Sequence, residues 1–486
     1  MTPSQPAPGD LPTHDLLING ERVPPGSGEY STDINPATEA PIARVAQGNA
    51  ADVDRAVQAA RAALKVWTGM RAAERGRILY RFADLLEAHA EELVALESQD
   101  AGKPLAAVRR QDMPAVIDTV RYYAGWCDKI NGQVVPARTD ALTYTVREPV
   151  GVVAAIVPWN FPLMIGMWKI APALACGCTL VVKPAEITPL SALRVAELAL
   201  EAGLPPGVLN IVTGKGSVVG NALVAHPGID KVTFTGSPGV GRGIMQGAAA
   251  NFKRVTLELG GKSANVIFAD ADLDAATRAA ASGIFFNAGQ VCSAGSRILA
   301  QRQVYDDVVE RLAARARAIR VGDPAEPGTT MGPVVSAAQM KTVLDYVEIG
   351  KREGASAVTG GARIGERGFY VAPTVFANVA HEMRISQEEI FGPVASVIPF
   401  DDEADAVRIA NGTAFSLAAG VWSADIARVH KVAGELRAGT VWINTYGYTD
   451  VRLPWGGSGD SGLGREHGDA ALDNFTEPKT IWLSLR

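Results

Sequence analysis

Residues 151–183 read GVVAAIVPWNFPLMIGMWKIAPALACGCTLVVK. Seven apolar residues open the stretch, a Pro-Trp-Asn-Phe-Pro turn follows, then a run of helical length, and TLVVK closes it as a second apolar run. Strands buried on both faces read as continuous hydrophobic runs rather than as alternation. The stretch is therefore strand, turn, helix, strand, the unit from which parallel sheets are built. Pro149 to Trp168 carries no charge and has the length of a membrane span. Pro158, Asn160 and Pro162 would break a spanning helix, so a buried strand, turn and helix explain it better.

The alternation continues downstream. GVLNIVTG (207–214), KVTFTGS (231–237) and RVTLELGG (254–261) read as further strands. Helices are expected between them, over 162–176, 189–202, 217–226 and 240–250. A second alternating stretch runs from Ser263 to about Val441, with strands at ANVIFAD, SRILAQ, FYVAPTVF, ASVIPF and AGVWS. Two doubly wound α/β units follow, and such sheets bind ligands at the carboxyl ends of their strands. Upstream, 50–100 is expected to form a helical pair with Phe82, Leu85, Leu86, His89 and Leu93 on one face. A helix is expected over 122–129 and a strand over 143–150. Residues 1–15 read as a mobile extension without a signal-peptide core.

The chain has 486 residues, roughly three domains of about 150 by length alone. Lys and Arg number 46 against 52 Asp and Glu, with no basic cluster, so nucleic acid is not an expected partner. Four cysteines cannot build a disulfide framework and fit a reducing, cytoplasmic setting. Cys176 and Cys178 stand close together without a nearby histidine, and the six histidines are scattered, so no metal site is expected.

Four places carry candidate chemistry. Thr235, Gly236 and Ser237 join a strand to a helix whose first amides could hold a pyrophosphate, though the G-x-G-x-x-G order is absent. A plain turn reads as well from the same residues. Cys292 follows a Gly-Gln turn that can bring a thiol into the open, while a lone cysteine is more often an inert buried residue. Glu258 sits among apolar strand residues, where a carboxylate is costly unless paired, protonated or put to use. Asn160, bracketed by prolines at a strand end, is either a rigid oxyanion donor or a helix cap.

Together these residues resemble the NAD(P)-dependent aldehyde dehydrogenase superfamily, from about Leu17 to the C-terminus. The matching motifs are PWNFP (158–162), VVKPAE (181–186), FTGS (234–237), LELGGKS (257–263), FNAGQVCSAGSR (286–297), EEIFGPV (388–394) and PWGGSGDSGLGRE (454–466). The resemblance implies a Rossmann-like NAD-binding domain (1–130 and 149–260), a second α/β catalytic domain (261–465) and a small β oligomerisation element (131–148 and 466–486). It implies Cys292 as nucleophile, Asn160 with the Cys292 amide as oxyanion donors, and Glu258 as the base that activates the hydrolytic water. Loss of that glutamate accompanies CoA-acylating chemistry in relatives, so hydrolysis to a free acid is expected. The implied cofactor is NAD, with NADP a possibility. Its contacts would be Trp159, Lys183, Glu186, Thr235, Gly236, Ser237, Gly260, Glu389 and Phe391. A homodimer or homotetramer is implied.

Substrate identity is thinner. Phe161, Trp168, Phe286 and Trp455 stand where relatives line the aldehyde tunnel. A general apolar tunnel for medium or aromatic aldehydes is the reading adopted. An aromatic box for betaine aldehyde or an aminoaldehyde is one alternative, and a carboxylate clamp at Arg452 for a semialdehyde acid is another. A family member kept as a silent NAD-binding or structural protein remains a reading of a different class.

Overall fold

The computed structural model describes residues 11–486. Its largest sheet has eight strands. In spatial order they are Gly462–Leu463, Arg254–Glu258, Lys231–Thr235, Val152–Ile156, Thr179–Lys183, Leu209–Ile211, Leu16–Ile18 and Glu21–Val23. The five from Arg254–Glu258 to Leu209–Ile211 run parallel. Strand order reverses between Val152–Ile156 and Lys231–Thr235, because the chain builds outward to one side and then crosses to the other. The crevice outside the carboxyl ends of those two strands is the expected ligand site of such a sheet.

Continuous burial of these strands follows from helices on both faces. Pro162–Ala175 packs on one side and is buried almost throughout, including Lys169. Pro162 at its first position suits a helix start, where no amide is needed. A second sheet of seven strands runs Ser356–Thr359, Thr374–Ala377, Val394–Phe400, Arg297–Gln301, Ala264–Ile267, Ala418–Trp422 and Thr440–Ile443. All neighbours in it are parallel except the first pair. Ala141–Pro149 and Thr476–Ser484 pair separately as a two-stranded antiparallel ribbon.

Several expectations need correction. The helical pair is three helices, Ala50–Gly69, Ala72–Ala88 and Ala90–Ala101. His89 is no core residue but the joint between the last two, its ring on Glu92 at 2.8 Å. The helix expected at 122–129 runs instead over Met113–Ala124 and passes into turns. The stretch 217–226 begins as a wide turn at Gly216–Gly220 before the short helix Asn221–Ala225. Of the proposed mobile extension, residues 1–10 lie outside the described residues. Thr13–His14, part of the expected extension, is a strand paired with Pro41–Ala46. Thr440–Ile443, taken as the end of the second unit, is its edge strand.

Residues 462–475, divided in the sequence reading between the catalytic domain and the oligomerisation element, return to the first sheet. Leu463 and Gly462 pair with Leu257 and Glu258, and Ala471, Leu472 and Phe475 join the core around Pro162–Ala175. Composition could not show this, because a two-residue strand has no periodicity to read. Among the described residues no helix is long and apolar enough to cross a membrane.

Candidate active site

The Cys292 loop is held in a conformation that few sequences tolerate. Asn287, Ala288 and Gly289 are successively left-handed, with φ of 49°, 53° and 72°. For alanine this costs about 1–2 kcal/mol, a strain that persists only where surroundings over-determine it. They do so here. Asn287 Nδ2 donates to the Asn160 carbonyl at 3.0 Å, Asn160 Nδ2 donates to the Gln290 carbonyl at 2.9 Å, and the Val335 amide donates to Gln290 Oε1 at 2.8 Å. Tyr446 Oη donates to the Ser293 carbonyl at 2.9 Å. A Cβ on Gly261 would run into the Cys292 carbonyl, so the Gly260-Gly261 pair is the only backbone that lets the loop approach so closely.

The result is a cavity of about 240 Å³ at the switch point. Cys292 and Asn160 face it together with Trp159, Thr235, Gly236, Ser237, Gly260, Glu389 and Phe391. One amide hydrogen of Asn160 is spent on Gln290, which leaves the second for a ligand. Glu389 Oε1 accepts from the Gly261 amide at 3.0 Å, and Phe391 meets Trp159 edge to face with centroids 5.1 Å apart. Gln339, overlooked in the sequence, lines the same cavity and donates to the Phe391 carbonyl at 2.8 Å. Phe391 itself is left-handed at φ 55°.

Of the sequence candidates for cofactor contact, seven line this cavity. Lys183 and Glu186 do not; they stand at the carboxyl end of the next strand, Lys183 buried and donating to the Pro184 carbonyl at 2.6 Å, Glu186 exposed. Burial lowers the Lys183 pKa to about 8, with Glu186 opposing. The geometry suits a dinucleotide. Thr235 Oγ1 is buried without a partner among the described residues, Ser237 caps the helix Pro238–Ala249, and no acidic residue stands in that helix's first turn. Gly239 there faces open space, so a phosphate can come against the amides.

Electrostatics distinguish the two acid–base candidates. Cys292 is partly open to the cavity, yet its thiol is pushed up to about 12, by burial first and then by the Glu258 and Glu389 carboxylates. Glu258, at the end of its strand, is held well above the usual carboxylate range by burial and by the charge of Glu466. Lys169 and Arg465 pull the other way. Lys169 and Glu466 form an ion pair sealed from solvent, which the sequence reading missed. The signal was present, for Lys169 is the lone charge in an otherwise apolar helix. Glu258 does not line the cavity, but it shares the field around Cys292.

The four aromatics do not close into one box. They form two pairs, Phe161 with Phe286 at 6.1 Å and Trp168 with Trp455 at 6.2 Å between centroids. The Phe161 face is already covered by Lys103 Nζ, 3.8 Å from the ring centre. Arg452 is exposed and its guanidinium fork is taken by Asp450 through hydrogen bonds of 2.8 and 2.6 Å. Arg452 is therefore not free to act as a carboxylate clamp.

A model of the aldehyde dehydrogenase family matches residues 23–481. The chain belongs to the aldehyde dehydrogenase family. Aldehyde dehydrogenase 1A1 of Mus musculus is 47% identical over 490 residues, covering 99% of this chain and 98% of that one. Among solved structures, the NAD+ complex of an aldehyde dehydrogenase from Bacillus cereus is similar with a TM-score of 0.96 and 49% identity, covering 98% and 97% of the two chains. The indole-3-acetaldehyde dehydrogenase AldA of P. syringae is similar with a TM-score of 0.96 at 45% identity, covering 97% of each chain. This aldehyde dehydrogenase thus keeps the family's architecture from its first to its last described sheet.

Proposed function

We propose that this aldehyde dehydrogenase oxidises an aldehyde to the free carboxylic acid with NAD, through a thioester on Cys292. The observation that carries the reading is the single cavity shared by Cys292, the spare Asn160 amide hydrogen and the phosphate-ready Thr235–Ser237 turn. The NAD complex of the Bacillus cereus relative supports the cofactor. Trp159, Thr235, Gly236, Ser237, Gly260, Glu389 and Phe391 would hold it, with Lys183 and Glu186 reaching the adenosine ribose. The exposed Glu186 carboxylate favours a 2′-hydroxyl over a 2′-phosphate, hence NAD over NADP.

Cys292 attacks the aldehyde carbonyl once its thiol has lost a proton, and the tetrahedral oxyanion is met by the Asn160 side-chain amide and the Cys292 amide. One such donor lowers the barrier by about 2.7–4 kcal/mol. When bound, NAD supplies the hydride acceptor. The acyl group then remains on sulfur, and Glu258 takes a proton from the water that releases it. Burial first and then Glu466 raise Glu258 well above the ordinary carboxylate range, which makes it a stronger base than an exposed carboxylate. Lys169 and Arg465 oppose that rise.

Medium or aromatic aldehydes are the substrates this wall chemistry favours. A cationic aldehyde finds the Phe161 face occupied, and a semialdehyde acid finds Arg452 engaged. The indole-3-acetaldehyde activity named for AldA fits the same direction. Residues 1–130 with 149–260 would bind NAD and 261–465 would carry the nucleophile. The ribbon of 141–149 and 476–484 would join copies into a dimer or a dimer of dimers. NADH absorbance with betaine aldehyde, 4-aminobutyraldehyde, hexanal, benzaldehyde and succinic semialdehyde, each with NAD and NADP, tests the reading. The highest kcat/KM is expected for hexanal or benzaldehyde with NAD. Turnover of none of them would instead favour a silent NAD-binding member of the family.

A further inference from the structure

The chain leaves the second sheet at Thr440–Ile443 and brings Tyr446 against the Cys292 loop, 153 positions away from Ser293 in sequence. Its ring lies in a slot cut by three glycines from three different elements. A Cβ on Gly283, in the helix Leu273–Phe285, would come within 2.8 Å of the ring. One on Gly295, in the Cys292 loop, would come within 3.0 Å, and one on Gly420, in the strand Ala418–Trp422, within 2.6 Å. Trp442 packs on the same ring with centroids 4.6 Å apart and donates from Nε1 to the Tyr448 carbonyl at 2.9 Å, which fixes the loop between. Interiors packed this closely feel a change of one methylene, so the ring has little freedom.

The hydroxyl at the end of that ring donates to the Ser293 carbonyl at 2.9 Å. Burial drives the phenol pKa up, with Ser263 and Arg297 opposing and Cys292 adding to the rise. The hydroxyl therefore keeps its proton and stays a donor. What it holds is the residue whose amide faces the reacting sulfur. Burial, Glu258 and Glu389 raise the Cys292 thiol, while two backbone amides, of Ser293 and of Cys292 itself, pull it down. Among the described residues neither amide donates to a backbone carbonyl. The peptide between Cys292 and Ser293 is gripped from both sides. Its carbonyl abuts Gly261, and Ser293 is tied at its own carbonyl to Tyr446.

The two amides part company during the reaction. On attack the C–S bond forms, the carbonyl electron pair moves to oxygen, and the Cys292 amide is needed at that oxyanion. The Ser293 amide is the one left to the sulfur. Sulfur takes charge again in hydrolysis, when water adds, Glu258 takes its proton, the C–S bond breaks and its electron pair returns to sulfur. A hydrogen bond to a charged group is stronger than one between neutral groups, so the Ser293 amide matters most at those two moments.

Resting on the reading that Cys292 is the nucleophile, we propose that Tyr446 is a positioning residue, which through the Ser293 carbonyl keeps the Ser293 amide on the Cys292 sulfur whenever that sulfur bears charge. Tyr446→Phe keeps the ring in its slot and removes only the hydroxyl, so a role in packing alone would leave the enzyme unchanged. With the hydroxyl gone, alkylation of the enzyme by iodoacetamide at about pH 8 should slow by about tenfold, because the thiolate fraction falls. The direction is diagnostic, since a loop merely loosened would open the thiol and speed alkylation. With the fastest aldehyde of the panel, kcat should fall about tenfold, while the NAD Kd, read by calorimetry, stays near native. Should Tyr446→Phe fail to fold, Gly283→Ala, whose methyl presses on the ring, should slow alkylation in the same sense. Alkylation at the native rate or faster in either variant, or an undiminished kcat in Tyr446→Phe, would overturn the proposal. A native enzyme that forms NADH from none of the five aldehydes would overturn the underlying nucleophile reading instead, a distinguishable result.

Discussion

At the scale of single residues, the site is a balance of buried charges around one thiol. Burial and two carboxylates keep Cys292 protonated at rest, and Cys292→Ala should abolish NADH formation while NAD binding, followed by calorimetry, stays largely intact. Glu258→Gln removes one of the carboxylates that raise the thiol pKa, so its pH profile of alkylation by iodoacetamide should shift to lower pH. The same variant should still release a burst of NADH in stopped flow, with steady turnover collapsing, if hydride transfer precedes hydrolysis. Glu466→Gln tests the origin of the Glu258 shift. Glu466 raises that pKa, so removing its charge and leaving Lys169 unopposed must lower it. A base with a lowered pKa becomes active at lower pH, and the rising limb of kcat against pH should move to the acid side.

Elements position these residues through close approaches that leave little slack. The Gly260-Gly261 turn passes between the Glu389 carboxylate and the Cys292 carbonyl, with no room for a methyl group at either glycine. Gly261→Ala should cut kcat/KM by at least about tenfold, as small misplacements of reacting groups do, and steady-state kinetics would show it. The start of Pro162–Ala175 is held from behind by buried charge. Glu97 Oε1 accepts from the Leu163 amide at 3.2 Å, and Lys103, in contact with the Phe161 ring, pairs with the buried Asp112. Lys103→Met leaves Asp112 buried and unpaired, so urea unfolding should show a loss of about 3–5 kcal/mol. Lys103→Met with Asp112→Leu should recover much of it, since removing both charges leaves no orphan.

For the whole molecule, the ribbon of 141–149 and 476–484 exposes Leu142, Trp482 and Leu483 to solvent in the single chain. Apolar side chains on an unpaired two-stranded ribbon are where another copy would pack. Trp482→Lys should shift the species seen by light scattering toward the monomer. A native enzyme that is a stable active monomer would sink the dimer reading.

Much of this was legible in the chain itself. Continuous apolar runs such as GVVAAIV and TLVVK determined a parallel α/β sheet, since only a strand covered on both faces permits them. Asn160, Glu258 and Cys292 stood out because each is a chemically costly residue at a strand end or glycine turn. Other features depended on contacts that span hundreds of residues. Lys169 finds Glu466 across 297 positions, the two-residue strand Gly462–Leu463 returns to Glu258, and Lys103 covers the Phe161 face that an ammonium would need. No local pattern encodes such pairings, because charge compensation and ring contact are decided only where the packed chain brings distant groups together. The sequence by itself determined the fold class and the candidate reacting residues. Tertiary structure alone decided which charges tune them and which aromatic faces stand covered beside them.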